Sequence, residues 1–303
     1  MDGIFYPPED KAAENLKAHS EKLAREHIRR EAYLEELAFE ASDMIVSMYE
    51  DGVGAEEAIS VISSSFFGEG LSDTGVKAPL SALKIADKVL FSELLCEKMA
   101  DKGKKLKEDD FLGDKVPGQR FTYVKNIYSD EAYDVFSSEF TYPTVSYSTS
   151  FRTACETVVR GDSDYCILPA EEAGGIRIPS VYNLMAMYDL KISDMTRVFG
   201  PDGNSDLRFA MLSRGYRIPP YDDGDDRYLE VRFGEGGDAG RDVFAAEMMG
   251  NRLYRMNTVT DENGIPVFSA AFRTESPDYV SYLVYLSLFS PGCTFIGIYR
   301  NIE

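Results

Sequence analysis

The sequence has few of the residues that metal binding and nucleophilic catalysis use. It contains two histidines, His19 and His27, and no two of its four cysteines are close enough in sequence for a Cys-x-x-Cys site. A Ser-His-Asp or Cys-His catalytic group would need one of these two histidines, which fall on one predicted helix. We therefore predict no metal site and no cofactor. Of the four cysteines, which include Cys293, we predict that Cys96, Cys155 and Cys166 are unreactive, buried thiols, because they lie in apolar stretches.

Positive charge is also scarce. The 32 lysines and arginines face 52 aspartates and glutamates, which gives a net charge of −20. Such a charge repels phosphate backbones and anionic lipid surfaces, so we expect no nucleic-acid or membrane partner. No apolar run approaches the roughly 20 residues that cross a bilayer. The first ten residues lack the basic start and apolar stretch of a secretory signal, which predicts a cytoplasmic location.

The first of three predicted segments, residues 1–110, reads as helical. A helix ending at Asp51-Gly52 is predicted from apolar spacing, followed by helices at 55–67 and 77–102 and a linker over 101–118. The first helix carries an apolar stripe from Leu16 to Met48 that it cannot bury by itself, so it needs the next helices or a second subunit as a partner. We expect a homodimer or higher homo-oligomer. The predicted stripe is Leu16, Ser20, Leu23, His27, Arg30, Leu34, Leu37, Ala41, Met44 and Met48; the third helix is predicted to present Leu80, Leu83, Leu90 and Leu94.

The other two predicted segments mix strands and helices. Residues 119–218 predict an α/β lobe with strands at 121–124, 144–148, 165–168 and 207–212 and helices near 129–138, 151–159 and 179–189. Residues 221–226 are predicted to form a hinge. Residues 227–303 read β-α-β-β-α-β, with a hairpin at Asn263-Gly264, which is the ferredoxin-like pattern.

Candidate ligand-binding residues lie where the strands of the lobe are predicted to end, because open α/β sheets bind ligands at that edge. Ser148, Thr149 and Ser150 precede a helix whose amino terminus favours an anion, although they also suit a simple helix cap. The loop after residue 168 contains Glu171, Glu172, Gly174 and Gly175, which also suit an ordinary turn. Arg208 has a guanidinium that can bind a carboxylate or form a surface ion pair. Arg30 offers either an anion pocket or a solvated charge.

Two stretches resemble the substrate domain of prephenate dehydratases. These are STSFRTACETVVRGDSDYCILPAEEAGGIRIPSVYNLMAMYDLKI at 148–192 and DLRFAMLSRG at 206–215. The segment after them, with its final strand CTFIGIYRNI, resembles the ACT regulatory domain of that family. A helical domain in the first position resembles the arrangement in bifunctional members that contain chorismate mutase. The resemblance implies an α+β multidomain fold: an N-terminal α-helical domain, a periplasmic-binding-protein-like α/β lobe and a ferredoxin-like ACT domain.

The sequence departs from the pattern of that family at its functional positions. The catalytic threonine of the family motif Asn-x-Thr-Arg-Phe is Leu207 here, and Ser205 stands at the asparagine position because Asn204 is displaced by one. Leucine cannot donate a proton to a leaving hydroxyl group. One lobe is present where the family has two. The Glu-Ser-Arg-Pro motif of the ACT domain is absent. The predicted helix at 55–67 has no arginine, so it lacks the arginine and acid pattern of the second helix of a chorismate mutase.

These departures favour a binding or regulatory protein of aromatic amino-acid metabolism that holds an aromatic or carboxylate ligand. The predicted ligand-binding residues are Ser148, Thr149, Ser150, Glu171, Gly174, Gly175, Asn204 and Arg208. One alternative is an active dehydratase that converts prephenate to phenylpyruvate, with Ser205 or residues 148–150 as the acid, Arg208 on a carboxylate and a second subunit completing the cleft. A further alternative is a chorismate-binding helical domain that uses Arg25, Arg29 and Arg30, and a scaffold without a ligand is the simplest.

Overall fold

Three helices form the amino-terminal region of the computed structural model. They are α1 (Glu9–Glu50), α2 (Ala55–Phe67) and α3 (Ile85–Asp101). The predictions for α1 and α2 are confirmed, but α3 begins at residue 85, and residues 83–84 before it are not helical. The structure describes residues 9–67, 83–112, 115–116, 118–200, 206–218, 226–234, 238–260, 266–274, 279–290 and 292–302, so Leu80 lies outside the described residues.

Only the second half of α1 is buried. Side chains from 13 to 29 are exposed, with Leu16 73% and Leu23 66% accessible. The buried face starts at Leu34 and continues through Leu37, Ala38, Ala41, Ser42 and Ile45. Within one chain the predicted stripe is therefore buried only from Leu34 onward, and Met44 is exposed. In α3 the buried side chains include Phe91, Leu95 and Met99, whereas the predicted Leu83, Leu90 and Leu94 are half-buried at its edges.

The α/β lobe begins with three parallel strands, β1 (Arg120–Tyr123), β2 (Thr144–Tyr147) and β3 (Tyr165–Glu172). Helices α4 (Ile127–Ser137), α5 (Phe151–Val159) and α6 (Pro179–Met187) connect the strands. Asn126 and Ser150 cap α4 and α5 by accepting backbone N–H groups, and Pro179 stands at the first position of α6. The two-residue strand β4 (Ile176–Arg177) turns back against the end of β3.

An antiparallel pair, β5 (Lys191–Phe199) and β6 (Asp206–Ser213), completes the lobe. β6 confirms the predicted strand, but β5 was not predicted. Its buried positions include Ser193, Asp194 and Thr196, so its sequence lacks the apolar pattern that identifies a buried strand.

The last part has the predicted β-α-β-β-α-β order. Its elements are β7 (Arg227–Arg232), α7 (Ala239–Met248), β8 (Arg252–Thr260), β9 (Pro266–Thr274), α8 (Val280–Phe289) and β10 (Thr294–Ile302). The strand order β10-β7-β9-β8, antiparallel throughout, confirms the ferredoxin-like prediction. Asn263-Gly264 and most of the predicted hinge lie outside the described residues.

One mixed sheet of ten strands runs through both α/β parts, in the order β2-β1-β3-β6-β5-β10-β7-β9-β8 with β4 beside β3. The parts join where β5 and β10 pair in parallel. The buried carboxylate of Asp194 on β5 reinforces this joint: it accepts a hydrogen bond from the backbone N–H of Arg300 at 2.9 Å and lies 2.5 Å from Arg217 Nη1. The division into three domains stays a prediction, and the α+β multidomain fold is confirmed.

The helical region packs on α8, which is buried on nearly all sides. Phe91 of α3 meets Phe289 of α8 edge to face, and Ser63 donates a hydrogen bond to the Leu288 carbonyl. The predicted linker contributes Leu106, Phe111 and Leu112 to the same core, so it is part of the packed structure. None of the helices in the described parts of the chain has the length and apolar character needed to span a bilayer.

Candidate functional site

The candidate site lies around Glu171, near the end of β3. β3 and β6 pair in antiparallel register up to Pro169, opposite Phe209, and the next pair is Glu171 with Arg208. Ala170 is therefore the extra residue of a β-bulge, which turns Glu171 to the same side of the sheet as Arg208. The predicted loop position of Glu171 and Glu172 was wrong, because β3 continues four residues beyond 168 and includes both.

Arginines from three strands approach Glu171, whose side chain has no solvent exposure. Arg208 Nη1 lies 3.6 Å from Glu171 Oε2, and Arg255 Nη2 of β8 lies 2.5 Å from Oε1. Arg177 of β4 is the neighbour of Glu171 on the other side of β3. Gly175 closes this end: its carbonyl accepts a hydrogen bond from Arg255 Nη1 at 3.3 Å, and a Cβ at this left-handed position would lie 3.5 Å from that atom.

A second buried carboxylate, Glu230 of β7, completes what we call the arginine–glutamate cluster: Glu171, Glu230, Arg177, Arg208 and Arg255. Arg177 forms a salt bridge with Glu230, and the Tyr299 hydroxyl donates a hydrogen bond to Glu230 at 2.8 Å. Three guanidinium groups against two carboxylates leave one positive charge in excess.

The three arginines differ in exposure. The side chain of Arg177 is 7% exposed, that of Arg255 is 16% exposed and that of Arg208 is 23% exposed. Arg208 is thus the member of the cluster that solvent reaches most easily. Arg208 lies farther from Glu171 than Arg255 does, so Glu171 neutralises the charge of Arg208 less than that of Arg255.

The cluster keeps its arginines charged. Burial lowers the pKa of Arg208, but Tyr254 and Glu171 more than offset this, so the pKa is raised above its ordinary value. Burial likewise lowers the pKa of Arg177, and Glu230 more than compensates. Burial raises the pKa of Tyr182, whose ring lies under the Arg177 guanidinium at 4.2 Å. Within the described part of the chain the Tyr182 hydroxyl has no hydrogen-bond partner.

Tyrosine rings border Arg208 on its exposed side. The ring of Tyr254 of β8, which is 47% exposed, lies 4.8 Å from the ring of Tyr228. Burial raises the pKa of Tyr228 to about 12, although the charge of Arg208 works to lower it. The accessible guanidinium therefore stands beside an accessible aromatic surface. Together they can bind a carboxylate and stack on an apolar ring.

The predicted hydroxyl group at 148–150 does not join this cluster. Ser148 Oγ shares a hydrogen bond with Thr122 Oγ1, and Ser150 Oγ caps α5 by accepting the Thr153 N–H at 3.1 Å. β2 is two strands away from β3, about 10 Å at the usual strand spacing. Its end is level with Ile167, so Glu171 lies several residues further along. The expected convergence of these two features was therefore wrong.

The remaining predicted residues are placed as follows. Gly174 lies in the turn after β3, with a left-handed φ of +78°. Asn204 and Ser205 lie outside the described residues. Leu207 packs against the core cluster that contains Phe121 and Phe209. Because successive strand residues face opposite sides, its side chain is on the side of β6 away from Arg208.

The basic residues of α1 do not form a concave site in the described part of the helix. His27 is exposed, with Nε2 3.2 Å from Glu31 Oε1, and Arg25 pairs with Glu21 at 3.6 Å. Arg30 forms a salt bridge with Asp87 of α3, so it is not an open anion pocket, and its side chain is still 41% exposed to solvent. Of the cysteines, Cys155 and Cys166 are buried as predicted, whereas Cys96 and Cys293 are only half-buried.

Sequence reasoning missed Arg177, Arg255 and Glu230. Arg177 lies on β4, which turns back directly against β3, whereas Arg255 and Glu230 lie on β8 and β7 and reach the cluster only through the folding of the two α/β parts against each other. Charged residues at inward positions of β7 and β8 are the available signal, since Glu and Arg are almost never fully buried unless they are paired. This pattern identifies the charged residues but does not predict which residues they pair with.

Solved structures show which known fold this arrangement matches. Prephenate dehydratase from Streptococcus mutans superimposes with a TM-score of 0.50 over 61% of this chain and 100% of that one, at 11% identity. The chain has the prephenate dehydratase fold. Two further structures align with TM-scores of 0.45: prephenate dehydratase from Arthrobacter aurescens in complex with L-Phe (15% identity, 59% of this chain and 89% of that one), and GqqA, described as a novel type of quorum quenching acylase (20% identity, 60% and 95%). No protein-family model and no curated protein matches the sequence.

Proposed function

We propose that this chain binds a small aromatic carboxylate at Arg208 and does not catalyse the dehydration of prephenate. The observation that carries the proposal is that an arginine is kept at 208 while the hydroxyl is missing at 207. Arg208 keeps a charged, partly accessible guanidinium beside the Tyr254 ring, whereas the position of the family's catalytic hydroxyl holds a hydrocarbon that packs in the core. The site retains a means of binding without the proton donor that its fold family uses.

The ligand class follows from the chemistry of the site. A guanidinium fork binds a carboxylate through two parallel hydrogen bonds, and an exposed tyrosine face accepts a flat ring. A regulatory role in aromatic amino-acid metabolism, in a cytoplasmic homodimer, fits this ligand class.

A thermal-unfolding panel tests the binding. Prephenate, chorismate, phenylpyruvate, phenylalanine, tyrosine and tryptophan are added separately to the full chain. A ligand at 100 times its dissociation constant is expected to add about 2.7 kcal/mol to the free energy of unfolding. Arg208→Gln is expected to abolish that shift, and Arg25→Gln, which removes an exposed charge of α1, is expected to keep it. A shift that survives Arg208→Gln, or no shift with any of the six, contradicts the binding proposal.

A second assay tests the absence of catalysis. Prephenate is incubated with the protein, and phenylpyruvate is followed by its absorbance. We expect no turnover by the unmodified chain, because the hydrocarbon side chain of Leu207 cannot donate a proton to a leaving hydroxyl group. Turnover by the unmodified chain that disappears in Arg208→Ala would instead establish the alternative, an active dehydratase.

A further inference from the structure

A cavity of about 1010 Å³ opens at the edge of the sheet opposite to Arg208. Strands β1, β3, β5 and β10 run in the same direction, and the cavity is at their amino-terminal ends, where Arg120, Lys191 and Phe295 line it. Arg208 and Arg214 lie six residues apart along β6 and its end, roughly 20 Å at the usual strand rise. The cavity is thus a different place from the arginine–glutamate cluster.

All three parts of the fold contribute walls to this cavity. Leu112 comes from the helical region, Val158 from α5 of the lobe, and Leu286 and Phe295 from the ferredoxin-like part. Cavities at such junctions are a common form of small-molecule site, and this volume is at the upper end of their range. Polar groups make up more than half of the accessible lining here, and apolar side chains make up the rest.

Two cations stand at the sheet side of the cavity. Lys191, whose side chain is 9% exposed, has Nζ 2.6 Å from Asp189 Oδ1. Asp189 is held at a left-handed φ of +47°, the only described non-glycine residue with a positive φ. Asp189 closely follows α6, and the Leu190 N–H donates a hydrogen bond to the Met185 carbonyl at 2.9 Å, so this is a common conformation for a residue that ends a helix. Here the conformation places a carboxylate beside a buried ammonium group and fixes the position of that group.

Arg214 is the second cation, and its charge is less neutralised than that of Lys191. Its Nη1 donates a hydrogen bond to the Val159 carbonyl at 3.2 Å, and no carboxylate in the described part of the chain pairs with it. By contrast, the neighbouring Arg120 is neutralised by Asp164 through contacts of 2.8 and 3.0 Å. Glu56 of α2 is an exposed acid at the rim.

We infer that this cavity is a second small-molecule site and that it takes an amphipathic organic anion. Leu112, Leu286 and Phe295 would contact the hydrocarbon body, and the cations Arg214 and Lys191 would bind the acidic group. The inference does not depend on the function proposed for Arg208, because the two sites share no residue.

The probe 8-anilinonaphthalene-1-sulfonate tests this site, because it joins aromatic rings to one anionic group and fluoresces when it leaves water. The titration uses the Arg208→Gln full chain, so that the site proposed above for aromatic carboxylates does not contribute, and it is expected to show one saturable site. In that background Arg214→Gln is expected to raise the dissociation constant at least about tenfold, since a charge-assisted hydrogen bond is lost. Glu56→Gln is expected to lower it a few-fold. Arg25→Gln, which removes the same charge from the exposed part of α1, is expected to leave it unchanged.

Cys293 gives the location of the bound probe. It lines the cavity and is half-buried, whereas Cys96, also half-buried, does not line it. Saturation with the probe is expected to slow alkylation of Cys293 and leave the rate at Cys96 unchanged, as followed by mass spectrometry. Ser60→Trp, which fills the cavity from α2, is a second variant in case Arg214→Gln unfolds, and it is expected to weaken binding as strongly. Equal affinities in Arg214→Gln and Arg25→Gln, or no protection of Cys293, would overturn the inference.

Discussion

Glu171 forms its shorter ion pair with a residue of the other α/β part. Its Oε1 lies 2.5 Å from Nη2 of Arg255 on β8, whereas its cross-strand partner Arg208 is 3.6 Å away. The carboxylate therefore connects the lobe to the ferredoxin-like part and only loosely neutralises Arg208. One buried acid both holds two parts of the chain together and leaves a cation available at the surface.

Glu171→Gln is expected to lower the free energy of unfolding by about 3–5 kcal/mol, because it leaves Arg255 mostly buried without a counter-ion. Urea unfolding followed by circular dichroism measures the change. Glu172→Gln is the matched control: it removes the same group from the exposed next residue and is expected to stay within about 0.5 kcal/mol of the parent. Equal effects of the two substitutions would contradict this account.

Gly297→Val is expected to destabilise the joint between β5 and β10. A Cβ at 297 would lie 2.3 Å from the Ile192 carbonyl oxygen, which is backbone and cannot move away cheaply. We expect a loss of about 3 kcal/mol or more in thermal unfolding. At Gly54 a Cβ would meet nothing within 4 Å, so Gly54→Ala is expected to have little effect. A Gly297→Val protein as stable as the parent would show that the two strands do not pair.

Asp164→Asn is expected to change the pH dependence of stability. Burial works to raise the pKa of Asp164, but hydrogen bonds from Arg120 lower it below its ordinary value of 3.8. A depressed folded-state pKa gives stability that is fully present above 3.8 and is lost as the pH falls through the lower folded value. The difference in unfolding free energy between parent and variant should therefore be constant from neutral pH to about pH 5 and shrink below pH 4. A difference that grows on acidification would contradict the prediction.

Leu34→Ala and Leu23→Ala compare the two halves of α1. Leu34 is 1% exposed, so its truncation is expected to cost about 2–5 kcal/mol in urea unfolding. Leu23 is 66% exposed, and within one chain its truncation is expected to change stability by less than about 0.5 kcal/mol. Light scattering is expected to show at least a dimer, which Leu23→Ala weakens if the exposed half of α1 pairs with a second copy. A monomer at all concentrations would remove the reason for an exposed apolar row.

Local sequence signals predicted most elements, and non-local contacts account for what they missed. Ser150 caps α5 and Asp51-Gly52 ends α1 through contacts within one helical turn, so both helix ends could be predicted from the sequence. β5 was missed because Asp194 is stabilised by Arg217 and Arg300, which lie 23 and 106 residues away. Charge pairing at that distance leaves no periodic pattern.

The candidate site was only half predictable for the same reason. Glu171 and Arg208 were identified from their position near strand ends, but the bulge at Ala170 that brings them together is a property of the paired strands. Arg255 reaches Glu171 only after two α/β parts have folded against each other. Neither feature is a local property of the sequence, so the composition of the cluster could not be predicted.

The position of β10 has a consequence for synthesis. Among the strands in the described parts of the chain β10 is the last in sequence, yet it lies between β5 and β7, in the middle of the sheet. On a ribosome, the backbone edge of β5 must therefore wait for about a hundred further residues to be translated, and the contact order of the native state is correspondingly high. A strand edge without its hydrogen-bonding partner can pair with the strands of neighbouring nascent chains. We therefore expect folding to depend on chaperones between the synthesis of β5 and that of β10.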